Sequence, residues 1–257
     1  MLYIVATPIG NLEDISLRAL RILGEVDFIL CEDTRTTRKL LEHYKIKTPT
    51  ISYHQHSDNY KTDEIINLLS AGKNLALVSE AGTPGISDPG GKLIQAVINE
   101  FNVGAQNIVP VQIESVPGPS AITAALSISG IPTDKFVFLG FPPHKKGRQT
   151  FIKKILASEY PVVVYESKHR IIKFLQELDQ LNKQIEKENQ QQKLKELTSK
   201  MRKEEKKIKK PVTSVVVCRE LSKMYETVYR GEISSIIKKI ETNPVEQKGE
   251  FVVIIGK

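Results

Sequence analysis

Two neighbouring carboxyl groups and an arginine lie in the segment Cys31-Glu32-Asp33-Thr34-Arg35, directly after an apolar run. At the end of a strand, such a group can transfer a proton by general acid–base chemistry, and the arginine can orient a carboxylate or bind phosphate. Glu32, Asp33 and Arg35 are therefore candidate catalytic residues. A helix cap explains Asp33 or Thr34 equally well, because capping needs only a short polar side chain. Capping requires neither Glu32 nor Arg35.

A second feature is an unusually glycine- and proline-rich loop, Glu80-Ala81-Gly82-Thr83-Pro84-Gly85-Ile86-Ser87-Asp88-Pro89-Gly90-Gly91. A shorter turn of the same kind, Thr7-Pro8-Ile9-Gly10-Asn11, follows the first apolar run. Glycines let the backbone approach a ligand closely and offer it N–H and C=O groups. The chain contains neither G-x-G-x-x-G nor G-x-x-x-x-G-K-[ST], the loops that bind dinucleotides and triphosphates. The pattern therefore favours an organic cofactor held by backbone.

Metal and serine-nucleophile sites are poorly supported. His54 and His56 would share one face of a strand, but no third ligand stands nearby and neither Cys31 nor Cys218 has a C-x-x-C partner. No G-x-S-x-G is present. We predict no metal site and no serine hydrolase.

The elements that must position these residues alternate between short apolar runs and amphipathic stretches, which predicts parallel strands joined by helices. Predicted strands are Leu2–Ala6, Asp27–Cys31, Thr50–Tyr53, Asn74–Ser79 and Asn107–Val111, and predicted helices lie near Ile15–Gly24, Thr36–Tyr44, Asp58–Ser70 and Lys92–Phe101, with Gly24 and Gly72 as C-caps. In the loops of such a sheet, ligands gather beyond the carboxyl ends of the strands.

A proline- and glycine-rich link around Val116-Pro117-Gly118-Pro119-Ser120 predicts two α/β domains, residues 1–113 and 117–257. In the second, a helix from Pro119 to Gly130 is expected first. Further predicted elements are strands Lys135–Leu139, Pro161–Tyr165, Val212–Cys218, Tyr225–Arg230 and Phe251–Ile255, with a helix over Ile233–Ile240. Two strands around one helix at the end indicate a mixed sheet with antiparallel members.

Composition excludes several classes of protein. With 257 residues, 40% hydrophobic and 26% charged, the chain is neither disordered, collagenous nor a disulfide scaffold. Its apolar runs fall far short of a membrane span. The start of the chain has no leader pattern and the two cysteines are far apart, so we expect a cytoplasmic protein with reduced thiols.

The net charge of +7 is concentrated in one segment, residues 182–210, which holds eleven basic and five acidic residues. Its apolar spacing predicts a protruding helix or helical hairpin inserted in the second domain. A Lys/Glu/Gln-rich helix is usually just solvated, but the segment is also a candidate arm for phosphate contact.

The motifs together resemble one family over nearly the whole chain: the ribosomal RNA small subunit methyltransferase I family of the tetrapyrrole methylase superfamily. The matching stretches are Ala6-Thr7-Pro8-Ile9-Gly10-Asn11-Leu12-Glu13-Asp14, Glu32-Asp33-Thr34-Arg35, the loop from Ser79 to Gly90, Pro117-Gly118-Pro119-Ser120-Ala121, Leu126-Ser127 through Gly130-Ile131-Pro132-Thr133-Asp134, Gly140-Phe141 with Lys145-Lys146-Gly147-Arg148, and Cys218-Arg219-Glu220-Leu221-Ser222-Lys223.

The resemblance implies S-adenosylmethionine-dependent 2′-O-methylation of a cytidine in the decoding region of 16S rRNA, with the 30S subunit as a possible substrate. It implies a class III methyltransferase fold, in which an N-terminal parallel-sheet domain and a C-terminal mixed-sheet domain enclose the cofactor in a cleft, usually in a homodimer. The cofactor-binding residues implied are Pro8, Glu80, Gly82, Thr83, Pro84, Ile86, Ser120, Ala121, Phe141 and Leu221.

For this reaction, Glu32 or Asp33 would take the proton of a ribose hydroxyl, with Arg35 as partner. Phosphate contacts are expected at clustered basic residues, although such clusters also serve solubility. The residues concerned are Arg35, Arg38, Lys39, Lys145, Lys146 and Arg148.

Three departures from the family pattern stand beside the match. The segment before Val212 is enlarged and lysine-rich, and Lys168 replaces a usual proline. The stretch Tyr53-His54-Gln55-His56-Ser57 follows the family pattern only loosely, so neither histidine is given a role. Relatives commonly continue into a small helical domain after the last strand, so any RNA or subunit affinity that domain supplies is expected to be missing. Two other functions stay open: methylation of tetrapyrrole carbons, and a ribosome assembly factor that binds cofactor without transferring methyl groups.

Overall fold

The computed structural model describes residues 1–54, 59–88, 90–102, 111–198 and 211–256. The chain divides into two compact units, Met1–Ala121 and Ile122–Lys257. Each unit contains one five-stranded sheet with helices between its strands. The predicted α/β class is therefore confirmed.

The first sheet is parallel throughout, with strand order β3-β2-β4-β1-β5. Its strands are β1 (Leu2–Val5), β2 (Phe28–Cys31), β3 (Thr50–Ser52), β4 (Leu75–Leu77) and β5 (Ile113–Val116). The helices of this unit are α1 (Leu17–Glu25), α2 (Thr34–His43), α3 (Asn59–Ser70) and α4 (Gly90–Asn102), with a short 3-10 helix at Leu12–Asp14.

Both faces of this sheet are buried, because side chains alternate along each strand. Along β1, Leu2 and Ile4 join an apolar cluster with Leu93 of α4, whereas Val5 joins a second cluster with Leu23 of α1. The helices therefore cover the two faces, and the carboxyl ends of the strands form one edge where the loops emerge.

Strand β5 differs from the prediction. The predicted strand was Asn107–Val111, whereas β5 is Ile113–Val116, so the placement of Val111 in the strand was wrong. Residues 107–110 lie outside the described part of the chain. Glu114 and Ser115 interrupt its apolar pattern, which an edge strand tolerates because it pairs on one side only. The strand also places residues 113–116, where the domain boundary was expected, in the first sheet.

One of the two predicted helix C-caps is wrong. Helix α1 continues to Glu25 and its C-cap is Val26, so Gly24 lies inside the helix. Gly72 follows α3 with a φ of +79° and donates its N–H to the carbonyl oxygen of Leu69. A left-handed residue after the last turn favours glycine, and only Gly72 meets that condition.

The second sheet is mixed, as predicted, with order β6-β7-β10-β8-β9. Only β6 and β7 pair in parallel; the other pairs are antiparallel. The strands are β6 (Val137–Phe138), β7 (Val162–Ser167), β8 (Ser214–Arg219), β9 (Thr227–Gly231) and β10 (Glu250–Gly256). The helices are α5 (Ala121–Ser129), α6 (Arg148–Ala157), α7 (Ile171–Thr198) and α8 (Ile233–Thr242).

A single large apolar cluster forms the core of the second unit. Helices α6, α7 and α8 contribute residues such as Ile152, Phe174 and Ile236, which pack with alternate residues of the central strands, for example Val253 of β10. The alternation is the period-2 pattern of a sheet with one face against helices. Both cysteines of the chain are free and buried, Cys31 in β2 and Cys218 in β8.

Helix α7 carries the first part of the basic segment, to Thr198. Residues 199–210, the rest of that segment, lie outside the described residues, as do Gln55 to Asp58 with His56. Within the described ranges, no helix has both the length and the apolarity needed to cross a bilayer.

Candidate functional site

Three loops leave the first sheet next to one another, after β1, β4 and β5, because these strands are neighbours in the sheet. The loops after β1 and β4 are joined by a two-hydrogen-bond bridge: the N–H of Thr7 donates to the carbonyl of Gly82 (2.9 Å), and the N–H of Gly82 donates to that of Thr7 (3.0 Å). The glycine-rich loop and the first turn are therefore one structural element.

Hydroxyl groups hold the same loops from inside. The Thr7 hydroxyl donates to the carbonyl of Ser79 (3.2 Å), and the Ser79 hydroxyl lies 3.2 Å from the carbonyl oxygens of both Ala81 and Gly82. The Thr83 hydroxyl reaches the carbonyl of Pro119, after β5, at 3.3 Å. All three loops are thus linked without any regular ladder between them.

Close backbone approach explains two of the glycines. Gly82 has a φ of +79°, a conformation that side chains other than glycine rarely adopt. A Cβ on Gly118 would lie 3.1 Å from the Cβ of Ala6. Any larger residue there would require Ala6 or the loop after β5 to shift by a few tenths of an ångström.

Asp88 organises the far end of the glycine-rich loop. Its Oδ1 accepts the N–H groups of Gly85 (2.7 Å) and Gly90 (2.8 Å), which fixes the loop against the first turn of α4. Sequence reasoning quoted this residue without assigning it a role. The Asp-Pro-Gly sequence at 88–90 was the available signal, since aspartate often binds the backbone two residues onward.

The acid pair Glu32-Asp33 follows β2, the strand next to β4. Asp33 is the N-cap of α2: its side chain accepts the N–H of Arg35 at 2.8 Å. The Arg35 guanidinium also pairs with it, Nη2 to Oδ2 at 2.7 Å, although the arginine side chain is 86% exposed. Asp33 therefore serves as the helix cap, one of the two interpretations that its sequence left open.

The two carboxyl groups differ in acidity. Hydrogen bonds from the side chain and backbone of Arg35 lower the pKa of Asp33 to about 2. Burial raises the pKa of Glu32, and the nearby carboxylates of Glu80 and Asp88 raise it further, against a smaller opposing effect of His54. Glu32 is the better proton acceptor of the two, because a higher pKa means a stronger base.

Glu32, Glu80 and Asp88 also give this edge of the sheet a negative field. The expected cofactor residues of the first unit lie along it with graded exposure: Gly82 and Pro84 are buried, Pro8, Thr83, Ser120 and Ala121 are half-buried, and Glu80 and Ile86 are exposed. Such an edge suits a ligand with positive charge, and it offers both backbone and apolar surface.

In the second unit, Phe141 and Leu221 occupy different settings. Phe141 is 51% exposed and its ring centre lies 5.4 Å from that of Tyr165. Leu221 is buried between Glu220 and Ser222, whose φ values are 52° and 65°. Left-handed conformations at two non-glycine residues are costly, and they cluster at functional sites.

Among the basic residues expected at RNA, Arg35, Arg38, Lys39, Lys145 and Lys146 are exposed. The prediction for Arg148 is corrected by its burial: this side chain is 5% exposed and pairs with Glu177 at 2.6 Å. It is committed to the interior of the second unit and does not present its charge to a phosphate.

Across the described residues, no group of three His, Cys, Asp or Glu side chains could hold a metal ion, and His56 lies outside them. Sequence reasoning also missed Glu166, Arg170 and Arg219. Glu166 and Arg219 lie in β7 and β8, where a charge within an apolar strand was the available signal, and Arg170 lies between β7 and α7.

Comparison with known proteins gives one consistent family. The profile of the Tetrapyrrole (Corrin/Porphyrin) Methylases matches residues 1–237. Proteins named ribosomal RNA small subunit methyltransferase I are similar along the whole chain. That of a Synechocystis strain is 40% identical over 257 residues, 100% of this chain and 78% of the relative. That of Thermotoga maritima is 35% identical over 255 residues, 99% of this chain and 97% of the relative.

Solved structures share the fold. A diphthine synthase superposes with a TM-score of 0.66 at 14% identity, covering 100% of this chain and 90% of that one. A cobalt precorrin-4 methyltransferase gives 0.60 at 17% identity, covering 99% and 94%. At these identities the likeness establishes the arrangement of the chain and says nothing of substrate.

Proposed function

The chain belongs to the ribosomal RNA small subunit methyltransferase I family of tetrapyrrole methylases, and from this premise we propose that it methylates the ribose 2′-hydroxyl of a cytidine in the decoding region of 16S rRNA. The methyl donor is S-adenosylmethionine. The observation that carries the proposal is the sequence identity of 35–40%, over 99–100% of the chain, to relatives of that name.

The loops after β1, β4 and β5 fit the cofactor. The absence of side chains at Gly82 and Gly118 lets these loops pack closely against one another. The neighbouring acidic edge suits a ligand that bears a sulfonium and an ammonium group. Within the first unit, the residues proposed to hold it are Pro8, Glu80, Gly82, Thr83, Pro84, Ile86, Ser120 and Ala121. When bound, S-adenosylmethionine supplies an electrophilic methyl group.

Glu32 is the proposed general base. A ribose hydroxyl is a weak nucleophile, and a carboxylate that accepts its proton contributes about 10²–10⁴-fold to the rate. The raised pKa of Glu32 suits it to this task, and the cap role of Asp33 keeps the start of α2 in place beside it. Arg35 orients Asp33 and offers its exposed face to phosphate.

In the second unit, Phe141 and Leu221 are proposed cofactor contacts. Phosphate contacts are proposed at Arg38, Lys39, Lys145 and Lys146, all exposed, and binding to phosphates rewards such clusters without reading sequence. A homodimer is also proposed; light scattering of the purified protein at micromolar concentration measures it directly.

The test is methyl transfer from labelled S-adenosylmethionine to 30S subunits from cells that lack this protein, with the product nucleoside identified by mass spectrometry. A labelled 2′-O-methylcytidine is expected, and 30S subunits from cells that contain the protein serve as the saturated control. Cofactor binding without transfer would reject the proposal and favour an assembly factor. Transfer to a tetrapyrrole but not to 30S would move the chain to the other branch of its superfamily.

A further inference from the structure

Four charged side chains form a network in the interior of the second unit. Arg148 Nε lies 2.6 Å from Glu177 Oε2, Arg148 Nη1 lies 3.7 Å from Glu166 Oε2, and Arg170 Nη2 lies 2.8 Å from Glu166 Oε1. Glu166 is 1% exposed. It is the carboxylate that both arginines share.

The two arginines also hold one loop by its backbone. Arg148 Nη1 donates to the carbonyl of Pro143 (3.2 Å), and Arg170 Nη1 donates to the carbonyl of Pro142 (3.1 Å). The loop, residues 140–147, connects β6 to α6 and lacks a side-chain cap at its helical end, where Gly147 has a φ of +83°. Its proline carbonyls thus accept hydrogen bonds from Arg148, the first residue of α6, and from Arg170, between β7 and α7. Glu166 of β7 and Glu177 of α7 pair with these arginines.

The outer side of this loop is basic. His144, Lys145 and Lys146 are exposed and follow directly after the two prolines that the arginines hold. The inner side is the charge network. One short loop therefore has a fixed interior and a cationic exterior.

Stability alone does not account for such a network. Burying charges costs desolvation, and apolar residues of similar volume often serve stability equally well or better. Arg148 Nη2 and Glu166 Oε2 have no hydrogen-bond partner among the described residues, so the network is not even fully satisfied. The charged side chains provide directional hydrogen bonds, which fix the positions of the carbonyl groups of Pro142 and Pro143.

We propose that Glu166 is a positioning residue that acts through Arg148 and Arg170 to hold loop 140–147, so that Lys145 and Lys146 are pre-arranged to bind phosphates of the rRNA. The ligand in this inference rests on the proposed function. The positioning itself does not.

The first experiment is a double-mutant cycle on methyl transfer to 30S subunits. Lys145→Ala with Lys146→Ala should raise KM about tenfold with little change in kcat, because phosphate contacts contribute to binding alone. Glu166→Gln, nearly the same shape, should raise KM in the same way. Combining all three changes should raise KM no further than the lysine changes do. If Glu166 acts only by placing the two lysines, its replacement has no further effect once they are gone. Effects that multiply would overturn the inference.

The second experiment needs no RNA. Trypsin cleavage after Lys145 and Lys146 in the intact protein, followed by mass spectrometry, measures opening of the loop. Glu166→Gln should accelerate it severalfold, while cleavage after Lys238 and Lys239 of α8 stays constant. Arg170→Lys keeps a cation beside Glu166 but replaces the two guanidinium nitrogens that bind Glu166 and Pro142 with a single one. It should therefore accelerate cleavage even if Glu166→Gln fails to fold.

The two experiments separate the two proposals. If the wild-type protein does not methylate 30S subunits, the proposed function fails, and trypsin still decides the positioning role. Unchanged cleavage of the loop in both variants would overturn that role whatever the substrate is.

Discussion

Glu32 and Asp33 are neighbours in sequence, yet their carboxyl groups are suited to different work. Both carboxylate oxygens of Asp33 accept hydrogen bonds from Arg35, Oδ1 from its backbone N–H at the start of α2 and Oδ2 from its guanidinium. These bonds lower the pKa of Asp33 to about 2. Glu32 has a raised pKa because it is partly buried near two other carboxylates. The environment of Glu32 destabilises its charged form, and this makes Glu32 the stronger base of the two.

Replacing Glu32 by Gln should lower the methyl transfer rate by about 10²–10⁴-fold while S-adenosylmethionine still binds. The rate of the wild type should rise with pH through the raised pKa of Glu32, and this step should vanish in Glu32→Gln. Single-turnover assays on 30S subunits between pH 4 and 8, with calorimetry for the cofactor, measure both.

Stability provides the control for this variant. A glutamate with a raised pKa in the folded protein destabilises the fold once it is charged at neutral pH, so Gln at position 32 should leave the melting temperature unchanged or higher. A normal transfer rate in Glu32→Gln would remove the residue from catalysis.

Asp33 should behave as a cap. Asp33→Ala should lower the melting temperature by a few degrees, whereas Asp33→Asn should retain most of it, since asparagine caps helices about as well. Because the folded-state pKa is lowered, the charged carboxylate stabilises the fold above about pH 4, and this contribution is lost as pH falls towards about 2. Thermal melts of the three proteins should show that the difference in melting temperature between wild type and Asp33→Ala decreases as the pH falls. A difference that does not change with pH would contradict the assignment of Asp33 as the cap.

At the scale of residues, the sequence predicts types better than settings. Lys145, Lys146 and Arg148 stand within four positions and all carry a positive charge, but the lysines are exposed and the arginine is buried. The difference arises from Glu166 and Glu177, which only the folded chain brings to Arg148. The spacing of residues in the sequence does not predict which distant side chains will pair with Arg148.

The loops at the carboxyl edge of the first sheet act at the scale of elements. Gly118→Ala should weaken cofactor binding several-fold, because its Cβ would come within 3.1 Å of Ala6 and displace the loop after β5. Gly24→Ala is the matched control: it lies inside α1 with nothing within 4 Å of the added Cβ, and it should stabilise the protein by about 0.5–1 kcal/mol. Titration of S-adenosylmethionine and thermal melts distinguish them, and equal affinities in both variants would argue against the close approach.

Most elements could be predicted because apolar periodicity is a local property of the chain. The exceptions are equally physical. Strand β5 is an edge strand with Glu114 in its middle, so its pattern resembles a linker. Gly24 is a glycine near the end of a helical pattern, but α1 continues past it to Glu25 and is capped by Val26.

The charge of the molecule is unevenly distributed. Under the proposed function, we expect the exposed Lys145 and Lys146 to strengthen binding to the 30S subunit. Removing Lys145 and Lys146 together should reduce the slope of log affinity against log salt by about 1–2 if each binds one phosphate. Removing two lysines of α8, Lys238 and Lys239, is the charge-matched comparison and should leave the slope unchanged. Filter binding to 30S subunits at several salt concentrations gives these slopes, and equal slopes for both pairs would indicate a general charge effect.

The molecule as a whole was the most predictable level. An all-parallel first sheet and a mixed second sheet follow from the alternation of strands and helices in one half and the strand–helix–strand ending of the other. Contacts across long stretches of sequence could not be predicted. Asn182 of α7, for example, accepts the N–H of Val212 at 2.8 Å, thirty residues onward, and this closes the base of the basic segment.

Each unit contains one buried cysteine, whose reaction with a thiol reagent would report the unfolding of that unit. Burial raises the pKa of the Cys31 thiol, and it raises that of Cys218 to about 11, so neither is a reactive thiolate while its sheet is intact. A thiol reagent can reach Cys31 only when the first sheet opens, and Cys218 only when the second does. Labelling rates at the two positions would therefore time the unfolding of the two halves separately, within one unmodified chain.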